Sequence, residues 1–267
     1  MSSPLELVLA VLLAFPAWGQ EQPPANPAPP PVLENTGKPM LVPFQCTEDD
    51  MRWAGLACSE EDPCDVYLEV ALAEPAGQRI FASANIHTDA ATLYSVLLGS
   101  DDGGRTWREA HERIRGAGLD HIQFLGADTG WISGLSLSPL PQDPFLLVTN
   151  DGGKTWRQRL IFSETRVGSI HQFFFGAKDS GSLIIDRGPG SEGGRWERFE
   201  SPDGGDTWMI KETSDKPLGL KQPPAAPSDW RVRADAPTKS FHIERRQGTR
   251  WASVAAFAVN LGVCKPQ

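Results

Sequence analysis

One eight-residue stretch is written three times in this chain: SDDGGRTW at 100–107, TNDGGKTW at 149–156 and SPDGGDTW at 201–208. The copies share a hydroxyl, Asp, Gly, Thr and Trp at fixed offsets. These are Ser100, Asp102, Gly104, Thr106 and Trp107, then Thr149, Asp151, Gly153, Thr155 and Trp156, then Ser201, Asp203, Gly205, Thr207 and Trp208. The Trp-to-Trp spacings are 49 and 52 residues. Self-similarity at such a period marks repeated supersecondary units, each burying an apolar face against its neighbours. Within a copy, the Asp and the leading hydroxyl can accept hydrogen bonds from backbone N–H groups of a tight turn, and the Gly pair permits positive φ. The Trp then leaves the turn as the first large apolar anchor of the next strand.

Strand signals flank every copy. LYSVLLG, PFLLV and RWERFE precede the three turns, while TWREA, TWRQRLI and TWMIKE follow them. Further short runs lie upstream in each unit, such as IFASANI, HIQFLG with TGWISGL, and IHQFFFG with SLIID. Four short strands per unit predict one antiparallel blade. A fourth, degenerate unit is expected near the end. WRVRAD alternates, with Trp230, Val232 and Ala234 on one face and Arg231, Arg233 and Asp235 on the other. FHIERRQGTRWASV then repeats the strand, turn and Trp plan with Gly248 and Trp251 but without the Asp, 43 residues after Trp208.

The eight-mers resemble the Asp-box, or BNR, repeat of sialidases, of sortilin-type propellers and of the photosystem II stability/assembly factor family. The resemblance runs from about residue 64 to 259, and FLGADTGWISG followed by TNDGGKTW is most similar to the assembly-factor type. It implies an all-β fold, a small β-propeller of about four four-stranded antiparallel blades. It also implies that each box is a structural turn between the third and fourth strands, away from the ligand face, and gives Asp102, Asp151 and Asp203 no catalytic role. Those families carry more blades. Either a small ring closes, then, or the arc is completed by the N-terminal segment or a second chain.

A net charge of -9 and a pI near 5.1 argue against a general nucleic-acid or anionic-membrane binder, which needs an excess of Lys and Arg. The apolar run Leu7 to Phe15, followed by Pro16 to Gly19, predicts a signal peptide over 1–19, although its n-region holds Glu6 and no Lys or Arg. Its nine residues are too few to span a bilayer. A Pro-rich tether is expected over 20–45 and the propeller domain over 46–267. Cys46, Cys58, Cys64 and Cys264 are an even set in a chain expected to be exported, which predicts two disulfides, with three connectivities open. Any complete pairing ties the C-terminus to the N-terminal segment. An extracytoplasmic location, periplasmic or secreted, follows.

No catalytic set assembles. A sialidase needs an arginine cluster, a Tyr nucleophile and an acidic donor, yet QRIF at 78–81 only echoes the family's arginine motif and the two tyrosines, Tyr67 and Tyr94, sit in strand positions. The glycines of GPGSEGG at 188–194 precede a strand rather than a helix, so they predict a hairpin loop and no dinucleotide site. The box turns lack the alternating ligands and twelfth-position Glu of a calcium loop, and no CxxC or HExxH spacing points to zinc. Five dispersed histidines suggest neither ligands nor bases. Two surface features stand out. Seven acids crowd residues 48–65 and six bases crowd 229–251, a contrast that would bring the first and last units together. Arg231, Arg233 and Arg246 form a candidate anionic-ligand patch. The expected function is a non-catalytic module without cofactor that binds another extracytoplasmic protein; the alternative is a carbohydrate-binding module or a sialidase-like hydrolase acting on an acidic glycan.

Overall fold

A computed structural model describes residues 31–137, 141–222 and 228–266. The predicted signal peptide, 1–19, and the first part of the predicted tether lie outside the described residues. The chain runs through β1 (Leu33–Glu34), α1 (Glu48–Ala54), β2 (Cys64–Ala76), β3 (Arg79–His87), β4 (Thr92–Ser100), β5 (Thr106–Glu109) and β6 (Ile114–Arg115). A second sheet follows, with β7 (Ala117–Leu125), β8 (Thr129–Leu137), β9 (Pro141–Thr149) and β10 (Arg157–Leu160). A third holds β11 (Ser169–Ala177), β12 (Ser180–Asp186), β13 (Trp196–Ser201) and β14 (Met209–Ser214). The last strands are β15 (Trp230–Asp235), β16 (Ser240–Gln247), β17 (Arg250–Ala258) and β18 (Asn260–Cys264).

All four sheets are antiparallel, and the chain is a small β-propeller of about four blades. The first has the order β1-β5-β4-β3-β2-β18, with β6 beside β4; the second and third are simple four-stranded meanders; the fourth is β15-β16-β17. In the first three sheets the repeated eight-mer joins the third strand of the meander to the fourth, as its turn chemistry predicts. GPGSEGG lies in the loop between β12 and β13, and a strand follows it.

The repeated turn also makes the contacts between blades. Gly104 packs against Val254 of the fourth sheet and Gly153 against the Phe81 ring of the first, each so closely that an added Cβ would overlap its neighbour. Gly205 approaches Leu146 of the second sheet, where a Cβ would lie at 3.4 Å. Hydrogen bonds follow the same direction. The Arg79 guanidinium donates to the Gly152 carbonyl (2.6 Å) and the Trp131 indole to the Gly204 carbonyl (2.8 Å). Each box is thus latched onto a neighbouring sheet, and the sheets follow one another in the spatial order fourth, first, second, third. Three apolar cores fill those three junctions, centred on Phe257 with Trp107, on Phe81 with Trp156, and on Trp131 with Phe175.

Among the described residues, no apolar core joins the third sheet to the fourth. By register, the face of the third sheet turned away from the second carries Gln172, Ile184, Arg198 and Glu212 in one row and Phe174, Ser182 and Glu200 in the next. Ile184 is buried, and the connector after β14 crosses this face, the Leu220 N–H donating to the Gln172 amide oxygen (3.2 Å). Among the described residues, the three box junctions join the four units in the order fourth, first, second, third.

Three expectations change. Packed structure is already present at Leu33, ahead of Cys46: β1 pairs with β5, Met40 and Val42 are buried, and the Asn35 amide donates to the carbonyls of Gly104 (2.9 Å) and Val254 (2.7 Å). Proline content masked these few apolar residues. The fourth sheet has three strands of its own, because β17 leads into β18, which pairs with β2 of the first sheet. Met40 takes the free edge instead, its N–H donating to the Ala256 carbonyl and its carbonyl accepting from the Ala258 N–H, both at 2.8 Å. Finally, the first and last units do abut, but the charge contrast does not hold them. Asp49 and Asp50 bind Arg115, and Arg231 and Arg233 bind Glu244 of their own sheet; among the described residues only Lys265 to Glu60 (3.1 Å) links the end of the chain to the acidic run. Strand addition, the apolar core and the Cys46–Cys264 disulfide join these units. The second disulfide is Cys58–Cys64.

Candidate functional site

The box residues are consumed by their own turns. In the first copy the Ser100 hydroxyl donates to Asp102 Oδ1 (2.9 Å) and accepts from the Gly104 N–H (2.8 Å). Asp102 Oδ1 accepts from the N–H groups of Arg105 (3.0 Å) and Thr106 (2.9 Å), and Oδ2 from the Thr106 hydroxyl (2.8 Å). Thr149, Asp151, Gly153 and Thr155 repeat the pattern, as do Ser201, Asp203, Gly205 and Thr207. Burial alone would raise the Asp102 and Asp151 carboxyls, but the Thr, Ser and backbone donors outweigh it and hold both at about 2. Asp203 is also held low, first by the Thr207 hydroxyl. Carboxylates this well satisfied are poor general acids and have little to offer a metal. The tryptophans differ in depth: Trp107 and Trp156 are 1% and 8% exposed, whereas Trp208 is half-buried.

Of the arginine patch expected at Arg231, Arg233 and Arg246, the first two share Glu244 and the third points elsewhere. Glu244, almost fully buried, accepts from Arg231 (2.7 Å) and Arg233 (2.9 Å), and Arg233 also reaches Asp235 (3.1 Å). Burial would raise the Glu244 carboxyl; the two guanidiniums outweigh it and keep it ionised below its usual range. Both arginines are therefore neutralised within their own sheet. Arg246 points to the Gly248 carbonyl (3.2 Å) and is not part of the cluster.

A cleft of about 840 Å³ opens instead on the other face of the same hairpin, between the fourth sheet and the first. Strand alternation and the pairing of Trp230 with Arg245 place these two side chains together, and the Arg245 guanidinium lies 5.6 Å from the indole centroid. The opposite wall is the β2–β3 hairpin, with Gln78 and Arg79, and the first box turn, with Asp101 and Arg105. Sequence reasoning missed this site because Arg245 was read as one of a run of bases. The signal was present in the WRVRAD alternation, which puts Trp230 opposite Arg231 and Arg233.

The strand edges form a second candidate surface. The outer edges of the first and fourth sheets are covered by the chain itself, through Leu33–Glu34 and Met40. In the second and third sheets β10 and β14 are the terminal strands. β14 is exposed over nearly its whole length, with Met209 49% and Ile210 50% exposed, and Leu160 of β10 is 57% exposed. Arg159 of β10 and Asp206 of the third box tie the two edges together at 2.5 Å.

His121 contacts Ser133 (3.5 Å) and His171 packs edge-on against Trp196 (4.9 Å between ring centroids). Tyr94 donates to Asp50 (2.5 Å) and docks α1, while Tyr67 donates to Asp65 (3.2 Å). Among the described residues, no group of three or more His, Cys, Asp and Glu side chains has metal-ligand geometry. No helix among them is long and apolar enough to cross a membrane.

No family model matches this chain, and no curated protein matches it either. Among solved structures it is similar to one described as "YCF48 bound to D1 peptide", at 18% identity and a TM-score of 0.38, over 72% of this chain and 55% of that one. The chain spans about half the length of that structure.

Proposed function

We propose that this chain is an exported, non-catalytic propeller that binds another extracytoplasmic protein by accepting an extended segment along β14. One observation carries the reading: two of the four sheets have their outer edges covered by added chain, and among the described residues the adjacent two do not. An exposed edge presents unpaired N–H and C=O groups that an incoming strand can use, and flanking apolar side chains supply the pockets that give specificity. Met209, Ile210 and Leu160 are such side chains. A bulge in the pairing of β13 with β14 leaves Lys211 as an extra residue there, its ammonium 3.8 Å from the Glu200 carboxylate, a feature that discourages indiscriminate edge pairing. The two disulfides support an oxidising compartment. The consumed box carboxylates support a role without catalysis.

The test is affinity capture of the tagged chain from residue 20 onward, from a crosslinked extracytoplasmic fraction of its host, beside a Met209→Lys/Ile210→Lys variant of unchanged melting temperature. A protein recovered with the wild type and lost with the variant is the expected result. Equal recovery with both, or recovery of polysaccharide alone, overturns the strand-edge reading.

A further inference from the structure

We infer that the cleft between the fourth and first sheets is a separate binding site for an acidic saccharide, with Arg245 as its carboxylate receptor. Arg245 is exposed, and its guanidinium makes no hydrogen bond or ion pair among the described residues, in contrast to those of Arg231 and Arg233 on the opposite face of the same strands. Its guanidinium is held against the half-buried Trp230 indole, whose own position is set by the apolar core between the two sheets. A planar cation resting on an aromatic face is oriented in advance, so little freedom is lost when its fork takes a carboxylate.

The surrounding side chains match the rest of such a ligand. Gln78 and Gln247 line the cleft and spend neither amide on a protein partner among the described residues, which leaves donors and acceptors together for sugar hydroxyls. Arg105 commits only Nε, to the Asp102 carbonyl (3.1 Å). Two carboxylates also line the space, and neither is free to repel an anion at full strength. Asp101 is held by Arg79 (2.9 Å) and by Arg108, and Asp102 is locked inside its turn. Three guanidiniums (Arg79, Arg105, Arg245) against two carboxylates (Asp101, Asp102) leave an excess of one positive charge, on a protein whose net charge is -9.

A peptide fits this cleft less well. The walls are two turns and a sheet face, so an incoming main chain finds no strand edge to extend, unlike β14. The volume lies within the range of roughly 300–1,000 Å³ common to small-ligand sites.

Calorimetric titration of the chain from residue 20 onward with trigalacturonate, with a neutral trisaccharide and with a Glu-rich peptide tests the inference. Trigalacturonate should bind, more weakly as salt rises, and the neutral sugar should not. Arg245→Gln should weaken binding about tenfold or more, the loss of a charged hydrogen-bond pair, without lowering the melting temperature. Arg246→Gln, one strand position away on the opposite face, should bind as the wild type does. No trigalacturonate binding, binding indifferent to Arg245→Gln, or binding of the Glu-rich peptide alone overturns the inference. Met209→Lys/Ile210→Lys should leave this titration unchanged, so failure here and failure of the strand-edge reading are separable.

Discussion

The junction between the fourth and first sheets and the flank between the third and fourth are built from the same kind of unit, yet one is sealed several times over and the other, among the described residues, has no shared apolar core or added strand. At the first, a box glycine packs onto Val254, Trp107 meets Phe257 edge to face at 5.4 Å, β18 adds to β2, Asn35 bridges the two sheets, and Cys46–Cys264 ties the ends of the chain together. At the second, the corresponding turn is Gln247 to Arg250, which has lost the Asp and joins β16 to β17 instead of a third strand to a fourth. Its Gly248 meets no neighbouring sheet among the described residues: no atom lies within 4 Å of where its Cβ would be. The difference teaches that the eight-mer is more than a local turn. Its hydrogen bonds fix the loop, and its glycines then let that rigid loop approach the neighbouring blade; where the motif decays, the latch is lost.

The disulfide should be the largest single test of the sealed side. Removing Cys46–Cys264 as the double Cys→Ala variant opens a crosslink across 218 residues, which in the chain-entropy model costs about 5 kcal/mol. Removing Cys58–Cys64, separated by 6 residues, should cost only about 2 kcal/mol. Denaturant melts measure both. Equal losses would mean that the termini are held by the added strand and the core, with the long crosslink redundant.

Next in size are the tryptophans, which rank the junctions. Trp107→Ala empties a fully buried site between the fourth and first sheets and should cost about 3–5 kcal/mol. Trp208→Ala, half-buried in the third sheet, should cost about 1–2 kcal/mol, since less area leaves water there. Identical losses by denaturant melts would erase the gradient from the sealed junction to the third sheet.

The three box turns, the antiparallel meanders and the alternation of Trp230, Val232 and Arg231, Arg233 were legible in the sequence, because each rests on local chemistry repeated at short range. The N-terminal segment was not. Leu33, Met40 and Val42 are separated by polar residues and prolines, and only β5 and β17, distant in sequence, turn them into edge strands and core. Likewise the arginine trio looked like a receptor because Glu244 lies 11 and 13 residues from its partners, and strand pairing alone brings it under them. The cleft depends on which face of one hairpin meets a sheet more than a hundred residues away in sequence. Local patterning therefore located the scaffold, and long-range pairing decided which charges remain free.

Glycine substitution tests the latch itself. Gly153→Ala forces a Cβ into the Phe81 ring at a φ of +79°, and should cost about 2–3 kcal/mol from overpacking and backbone strain together. Gly248→Ala meets the same kind of backbone, at φ +62°, in open space, so only the strain of about 1 kcal/mol remains. If the two melt alike, the box glycines serve the turn and not the contact between blades.

The smallest effect is the pH dependence of the turns. Asp102 and Asp151 titrate at about 2 in the folded chain, below the usual carboxylate value of about 3.8. A depressed folded value means that the unfolded chain binds protons first, so this stabilisation is present above pH 4 and is lost as pH falls from about 4 toward 2. Both carboxylates are partly solvated, which reduces each contribution to about 1 kcal/mol. Asp151→Ala removes the charge and its hydrogen bonds together, so its stability should fall less steeply than that of the wild type across that window. Substituting Asp235, which lies outside the box turns and is held low chiefly by Thr238 and Arg233, removes a charge that no latch depends on. Should Asp235→Ala melt like Asp151→Ala at neutral pH, the carboxylate of the box contributes nothing beyond an ordinary surface hydrogen bond, and the latch resides in the glycines and the tryptophan alone.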